Sequence, residues 1–274
     1  MKCRFTLLGL LVSFTTLAQQ HSLVKIWSTD SVFKVPESVC IDEKRKVLYV
    51  SNIDGQPWEK DGKGSIGKLG LDGKPIAVEW VKGLSAPKGM AIYKNLMYVA
   101  DITEVSVIDL DKGEIKKRIA IPNAEALNDV TVDDRGNVYV SDSKGKRVYV
   151  LKGDYATPHV EELKGPNGVK WFKDNLYLLD NSSFYRVEYD RKLTKLADGM
   201  EGGVDGIEPI SEKEFLVSCW AGVIYYIYPD GTKEKLLDTR NAKFNTADIT
   251  FDPISRIIYV PTFWKNTVVA YELK

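Results

Sequence analysis

The chain has 274 residues, 44% of them hydrophobic and 28% charged, an ordinary globular composition in a chain long enough to bury a large core. Its 38 Lys and Arg balance 38 Asp and Glu, so no bulk charge draws it to nucleic acid or to an anionic membrane. Two His and three Cys leave a histidine zinc site, a Ser-His-Asp triad or a zinc finger poorly supplied with side chains.

Lys2 and Arg4 precede an apolar run from Phe5 to Val12, and Thr16-Leu17-Ala18 places small residues where a leader is cut. This pattern predicts a secretory signal peptide over residues 1–18, cleavage near Ala18, and an exported chain, periplasmic or secreted. The folded part is then 19–274, read as a single domain and a monomer. The apolar run is too short to span a membrane. Cys40 and Cys219 fall in strand-like apolar runs and read as buried thiols rather than a disulfide.

From residue 37 onward the chain repeats itself. Glu37 to Asp42 leads across a polar turn to Val47-Leu48-Tyr49-Val50-Ser51-Asn52. Lys88 to Ile92 leads to Leu96-Met97-Tyr98-Val99-Ala100-Asp101, and Asn128 to Asp133 leads to Val138-Tyr139-Val140-Ser141-Asp142. Asn167 to Trp171, Asp205 to Pro209 and Ala247 to Phe251 open three more such units. The six openings lie 51, 40, 39, 38 and 42 residues apart. Paired short strands, followed by a third and fourth at a period near 40, predict the blades of an all-β, six-bladed β-propeller. The last unit ends after its third strand, so Leu23-Val24-Lys25-Ile26-Trp27 is expected to supply the fourth and close the ring.

Gly62-Lys63-Gly64-Ser65-Ile66-Gly67-Lys68 fits part of a phosphate-binding loop, but Leu69 stands where Ser or Thr should follow. Leu71-Asp72-Gly73-Lys74-Pro75 turns at once, so no helix N-terminus can face a phosphate. The segment reads as a glycine-rich entry to a strand, and no nucleotide is expected.

In a propeller the innermost strands line a central channel. The residues that open those strands, Glu37, Lys88, Asn128, Asn167, Asp205 and Ala247, ring one mouth. The second strands end at the same mouth, at Asn52, Asp101, Asp142, Asp180, Cys219 and Thr262. Asp or Asn after a strand often only caps a turn, the plain reading for Asp142 and Asp180. Glu37, Asn167 and Asp205 face one another across a confined space, where unpaired carboxylates repel. Two carboxylates with amide oxygens make a site for one hard divalent cation, calcium first, with magnesium, manganese or zinc as alternatives.

With its blades opened by Pro36-Glu37-Ser38, Asn128-Asp129, Pro166-Asn167-Gly168-Val169 and Val204-Asp205-Gly206-Ile207, the chain resembles the regucalcin/gluconolactonase superfamily over essentially its whole length after the leader. That resemblance implies a divalent cation on Glu37, Asn167 and Asp205, with Asn128 contacting substrate, and hydrolysis of a sugar lactone or related ester. Asp205 would be the general base. Lys88 departs from the pattern: an ammonium roughly 6 Å from a divalent ion costs about 5 kcal/mol at an effective dielectric of about 20. It must turn away, pair with Asp101, bind an anionic group of the substrate, or mark a site without metal. Trp58, in an insertion between the second and third strands of blade 1, is placed to stack on a sugar, as are Trp220 and Trp264 unless they pack between blades. A weaker similarity to NHL-type propellers offers the alternative of a non-catalytic module that binds a peptide, glycan or protein.

Overall fold

Six times along the chain an apolar run is answered, across a tight polar turn, by a second antiparallel run, and each pair grows into a sheet of four. The computed structural model describes residues 21–274 and consists of six four-stranded antiparallel sheets. In blades 1 to 5 the strands follow chain order from the axis outward, with inner strands Pro36–Asp42, Pro87–Tyr93, Leu127–Val132, Pro166–Phe172 and Val204–Pro209. Blade 6 begins at Thr250–Asp252, runs through Ile257–Pro261 and Val268–Leu273, and takes Leu23–Ser28 as its outermost strand. Leu23 pairs with Leu273 and Ser28 with Val269, so the first and last described strands close the ring as the sequence predicts. The leader lies outside the described residues.

The blades pack face to face through apolar side chains that alternate along each strand. Tyr177, Phe184, Phe215 and Val217 fill one such gap, and Phe33, Leu48, Tyr259 and Ala270 fill the gap where the chain closes on itself. Cys219 is buried and Cys40 half-buried, both as free thiols. Gly64–Gly70 is the third strand of blade 1, which disposes of the phosphate-loop reading. Among the described residues no helix is long and apolar enough to cross a membrane.

What positions the site is an irregularity shared by five inner strands. Each breaks register one or two residues after it starts, between Pro36 and Ser38, Pro87 and Met90, Leu127 and Val130, Pro166 and Val169, and Val204 and Ile207. A bulge frees one backbone N–H from the ladder and lets consecutive side chains leave in different directions. In three blades a serine from the neighbouring strand takes that N–H. Ser38 N donates to Ser51 Oγ at 2.9 Å, Asp129 N to Ser141 Oγ at 2.9 Å and Gly206 N to Ser218 Oγ at 2.8 Å.

Candidate active site at the channel mouth

The bulges divide the expected ring of twelve side chains into two sets with different work. The residues that end the second strands are structural. Asp142 accepts hydrogen bonds from the backbone N–H groups of Glu125, Ala126 and Gly145, at 3.0, 2.8 and 2.9 Å. Asp180 holds Lys164 N and Gly165 N in the same manner, and Asp101 holds Ser85 N and Ala86 N, each at 2.8 Å. All three tie the loop before a blade to the end of its second strand. Asp101 is therefore occupied and does not pair with Lys88. Asn52 likewise donates to Val78 O, and Thr262 hydrogen-bonds Thr267.

The residues that open the inner strands remain in the mouth. Glu37, Lys88, Asn128 and Asp205 are buried, and Asn167 is half-buried. Asn167 lies close enough to Asp205 for its amide to favour the charged form of that carboxyl. Its oxygen, Asn167 Oδ1, is buried without a partner, and so is Glu37 Oε2. Asn128 is anchored from its nitrogen, with Nδ2 donating to Ser143 Oγ at 3.1 Å. Glu37 and Asn167 thus present unpartnered acceptor oxygens.

Two further carboxylates stand one step along the bulges. Asp129 Oδ2 accepts from Val169 N of blade 4 at 2.7 Å, and Asp129 Oδ1 from its neighbour Val130 N at 2.7 Å. Asp248 Oδ2 accepts from Ser38 Oγ at 2.5 Å, while Asp248 N donates to Glu37 O at 3.0 Å across the closing seam. Each is accommodated by a glycine on an adjoining inner strand: a Cβ on Gly89 would collide with Asp129, and one on Gly206 with Asp248. These aspartates stitch inner strands together. Aligning the six units would have exposed them, because they share one position with Ser38, Gly89, Gly168 and Gly206.

Deeper still, Lys170 Nζ pairs with Glu208 Oε1 at 2.8 Å. A polar cavity of about 50 Å³ lies at this level, lined in part by Cys40, Asp129, Lys170, Glu208, Asp248 and Thr250.

The channel therefore gathers five carboxylates, Glu37, Asp129, Asp205 and Glu208 buried and Asp248 half-buried, against two ammoniums, Lys88 buried and Lys170 half-buried. Burial pushes all five carboxyls above their usual range, and repulsion from neighbouring carboxylates adds to it for Glu37, Asp129, Asp205 and Asp248. Asp248 is carried to about 7 by burial and by Glu208, against the Ser38 hydrogen bond and Lys170. Burial also lowers Lys88, opposed by Glu37, Asp205 and Asp101. The surplus of negative charge must be met by protons or by a cation.

Lys88 is attracted by Glu37, Asp205 and Asp101 but reaches none of them within ion-pair distance. It is 2% exposed, yet it makes no hydrogen bond or ion pair with any described residue. Its Nζ rests over the face of Trp58, 4.3 Å from the ring centroid. Lys144 of blade 3 approaches the same ring, at 5.3 Å. The insertion that carries Trp58 is held across blade 2 by Lys60 Nζ, which donates to Thr103 Oγ1 at 2.6 Å. Trp220 of blade 5 packs edge to face on Phe263 of blade 6, 5.4 Å between ring centres, whereas Trp264 meets Phe263, its own chain neighbour, at 4.8 Å, and both tryptophans are exposed.

Against known sequences, the profile of the SMP-30/gluconolactonase/LRE-like region matches residues 35–262, a span that includes all six openings of the inner strands. The chain belongs to the SMP-30/gluconolactonase/LRE-like family. Among curated proteins none matches it in sequence. A solved structure of catalytically inactive virginiamycin B lyase from Staphylococcus aureus with quinupristin is similar at a TM-score of 0.63 and 13% identity, over 92% of this chain and 99% of that one. A streptogramin B lyase gives 0.63 and 13% over 93% and 97%. A chain of the nidogen/laminin complex gives 0.64 and 16% over 79% and 84%. At these identities the likeness is one of fold.

A divalent cation fits the residues present. Among the described residues no three His, Cys, Asp or Glu side chains form a ligand group by themselves. The unpartnered oxygens Glu37 Oε2 and Asn167 Oδ1, with Asp205 beside the same amide, are the oxygen donors a hard cation takes.

Proposed function

We propose that this SMP-30/gluconolactonase/LRE-like protein is a divalent-metal-dependent hydrolase of a sugar lactone or related ester, acting at the channel mouth. One observation carries the reading: two buried acceptor oxygens without partners, on Glu37 and Asn167, flank a buried carboxylate at a mouth short of positive charge. Glu37, Asn167 and Asp205 would hold the ion, calcium first, with magnesium, manganese or zinc as alternatives. When bound, the ion supplies polarisation of the ester carbonyl and charge to stabilise the oxyanion that develops on it. Asp205, its charged form favoured by the Asn167 amide, takes the proton of the attacking water. Asn128, fixed through Ser143, orients the substrate, and Trp58 offers a wall against a sugar face. The same proposal has the protein exported, as the leader expected over residues 1–18 would imply, and acting as a monomer.

The test is elemental analysis of purified protein, followed by a panel of lactones with calcium, magnesium, manganese or zinc restored after chelation. Turnover that disappears with the chelator and returns with one metal is the expected result. Stoichiometric metal with no turnover on any lactone or ester would instead favour a binding propeller, for which the partly exposed Trp58, Trp220 and Trp264 would supply the contact surface.

A further inference from the structure

We propose that the mouth selects substrates that carry a carboxylate, received by the Lys88 and Lys144 ammoniums that both approach Trp58. This deepens the hydrolase reading and rests on it for the identity of the reaction, while the anion site itself can be tested without turnover.

The first argument is the state of Lys88. A lysine almost fully withdrawn from water normally has a charged partner, because an uncompensated buried ammonium is expensive. Lys88 is 2% exposed and has neither a hydrogen bond nor an ion pair among the described residues. The face of Trp58 at 4.3 Å gives partial compensation and leaves its N–H donors unused. Three unused donors on a buried cation at the rim of a mouth are a receptor for an acceptor group.

The second argument is placement. Lys88 opens the inner strand of blade 2, where blades 1, 3, 4 and 5 supply Glu37, Asn128, Asn167 and Asp205. One position in an oxygen-bearing ring is thus given to a cation. Lys144, exposed and likewise without a hydrogen bond or ion pair among the described residues, brings a second ammonium to 5.3 Å from the same indole. The Lys60–Thr103 hydrogen bond keeps the Trp58 loop over blade 2, so both charges address one location.

The third argument is the sign of the local charge. Without a metal, Glu37 and Asp205 beside Lys88 oppose an incoming anion. A divalent ion on those carboxylates would offset that opposition. Anion binding and metal binding are then positively linked, each strengthening the other by the same factor.

The probe is succinate, titrated calorimetrically into the mature protein, calcium-loaded or chelator-treated, with turnover measured separately on a neutral lactone and its carboxylate-bearing counterpart. Succinate is expected to bind the calcium-loaded protein and to weaken at least 10-fold after chelation. Lys88→Met, close in length and volume, should weaken it about 10- to 100-fold, the range of a lost charge-assisted hydrogen bond, and lower the preference for the charged lactone by a similar factor. Lys144→Ala, a surface change, should weaken succinate by a smaller factor of about 3 to 10. Calcium- and Lys88-dependent succinate binding in a protein that hydrolyses no ester would uphold the anion site and defeat the hydrolase reading. Metal-dependent hydrolysis that treats charged and neutral lactones alike, with succinate affinity unchanged in both variants, would overturn the anion site and leave the hydrolase reading standing.

Discussion

Replacing Asp142 and Glu37 in parallel separates a structural carboxylate from a functional one. Both are buried in the same end of the barrel, and sequence position alone treats them alike. Asp142 is fully buried and accepts three backbone N–H bonds. Hydrogen bonds to a charged group are worth about 1.5–3 kcal/mol each. Allowing for water entering the gap, Asp142→Ala should lower the unfolding free energy by about 3–5 kcal/mol. That loss should be the same with calcium or with chelator. Glu37 Oε2 has no donor at all, and burial already raises the Glu37 carboxyl well above its usual range. In chelator at pH 7.5, Glu37→Gln should therefore leave stability unchanged or raise it by about 1 kcal/mol, by removing an uncompensated acceptor. With calcium at about 100 times its dissociation constant the natural protein gains roughly 2.7 kcal/mol, most of which the variant forfeits. The effect of Glu37→Gln thus changes sign with the metal, and the effect of Asp142→Ala does not. Urea denaturation followed by tryptophan fluorescence, in chelator and in calcium, measures both. A Glu37→Gln loss of equal size in the two conditions would refute the reasoning.

The raised carboxyls predict an unusual pH dependence. A carboxyl with a folded pKa above its unfolded value adds stability below the unfolded pKa and loses it as pH rises through the folded one, so chelator-treated protein should melt higher at pH 5.5 than at pH 7.5, with Asp248, at about 7, in that window. Scanning calorimetry that shows the melting temperature rising with pH over this range contradicts it. Deleting residues 21–28 removes the outer strand of blade 6 and bares the edge of Val268–Leu273. The truncation should aggregate, and light scattering showing a soluble chain of undiminished stability would count against closure as the source of cooperativity. Asp129→Ala abandons the N–H groups of Val130 and Val169 and should cost about 2–4 kcal/mol whether or not metal is present, which the same urea assay reads.

The blades were legible because each is a local object: an apolar run, a polar turn and a second run ending in Asp, Asn or a substitute. The ring of Glu37, Asn128, Asn167 and Asp205 was legible because the repeat gives each the same place in its blade. The capping role read from sequence for Asp142 and Asp180 is the one they fill. That the backbone would also claim Asp101 was not legible, because it depends on the N–H groups of Ser85 and Ala86 in the preceding loop. Asp129 was missed because a bulge sends the second of two neighbouring side chains sideways, and Asp248 because its partner, Ser38, lies 210 residues away across the ring seam. The turn of Lys88 toward Trp58 depends on the path of the insertion, fixed by Lys60 and Thr103, a contact that no local pattern encodes.

The central claim is that Glu37, Asn167 and Asp205 hold one divalent cation. Calorimetric titration of calcium into chelator-stripped mature protein tests it directly, beside Glu37→Ala, Asn167→Ala and Asp205→Ala. One site per chain in the natural protein, weakened by each substitution, with lactone turnover following site occupancy, is the predicted result. Calcium binding that survives both Glu37→Ala and Asp205→Ala undiminished, or lactone turnover that persists in full after chelation, would contradict it.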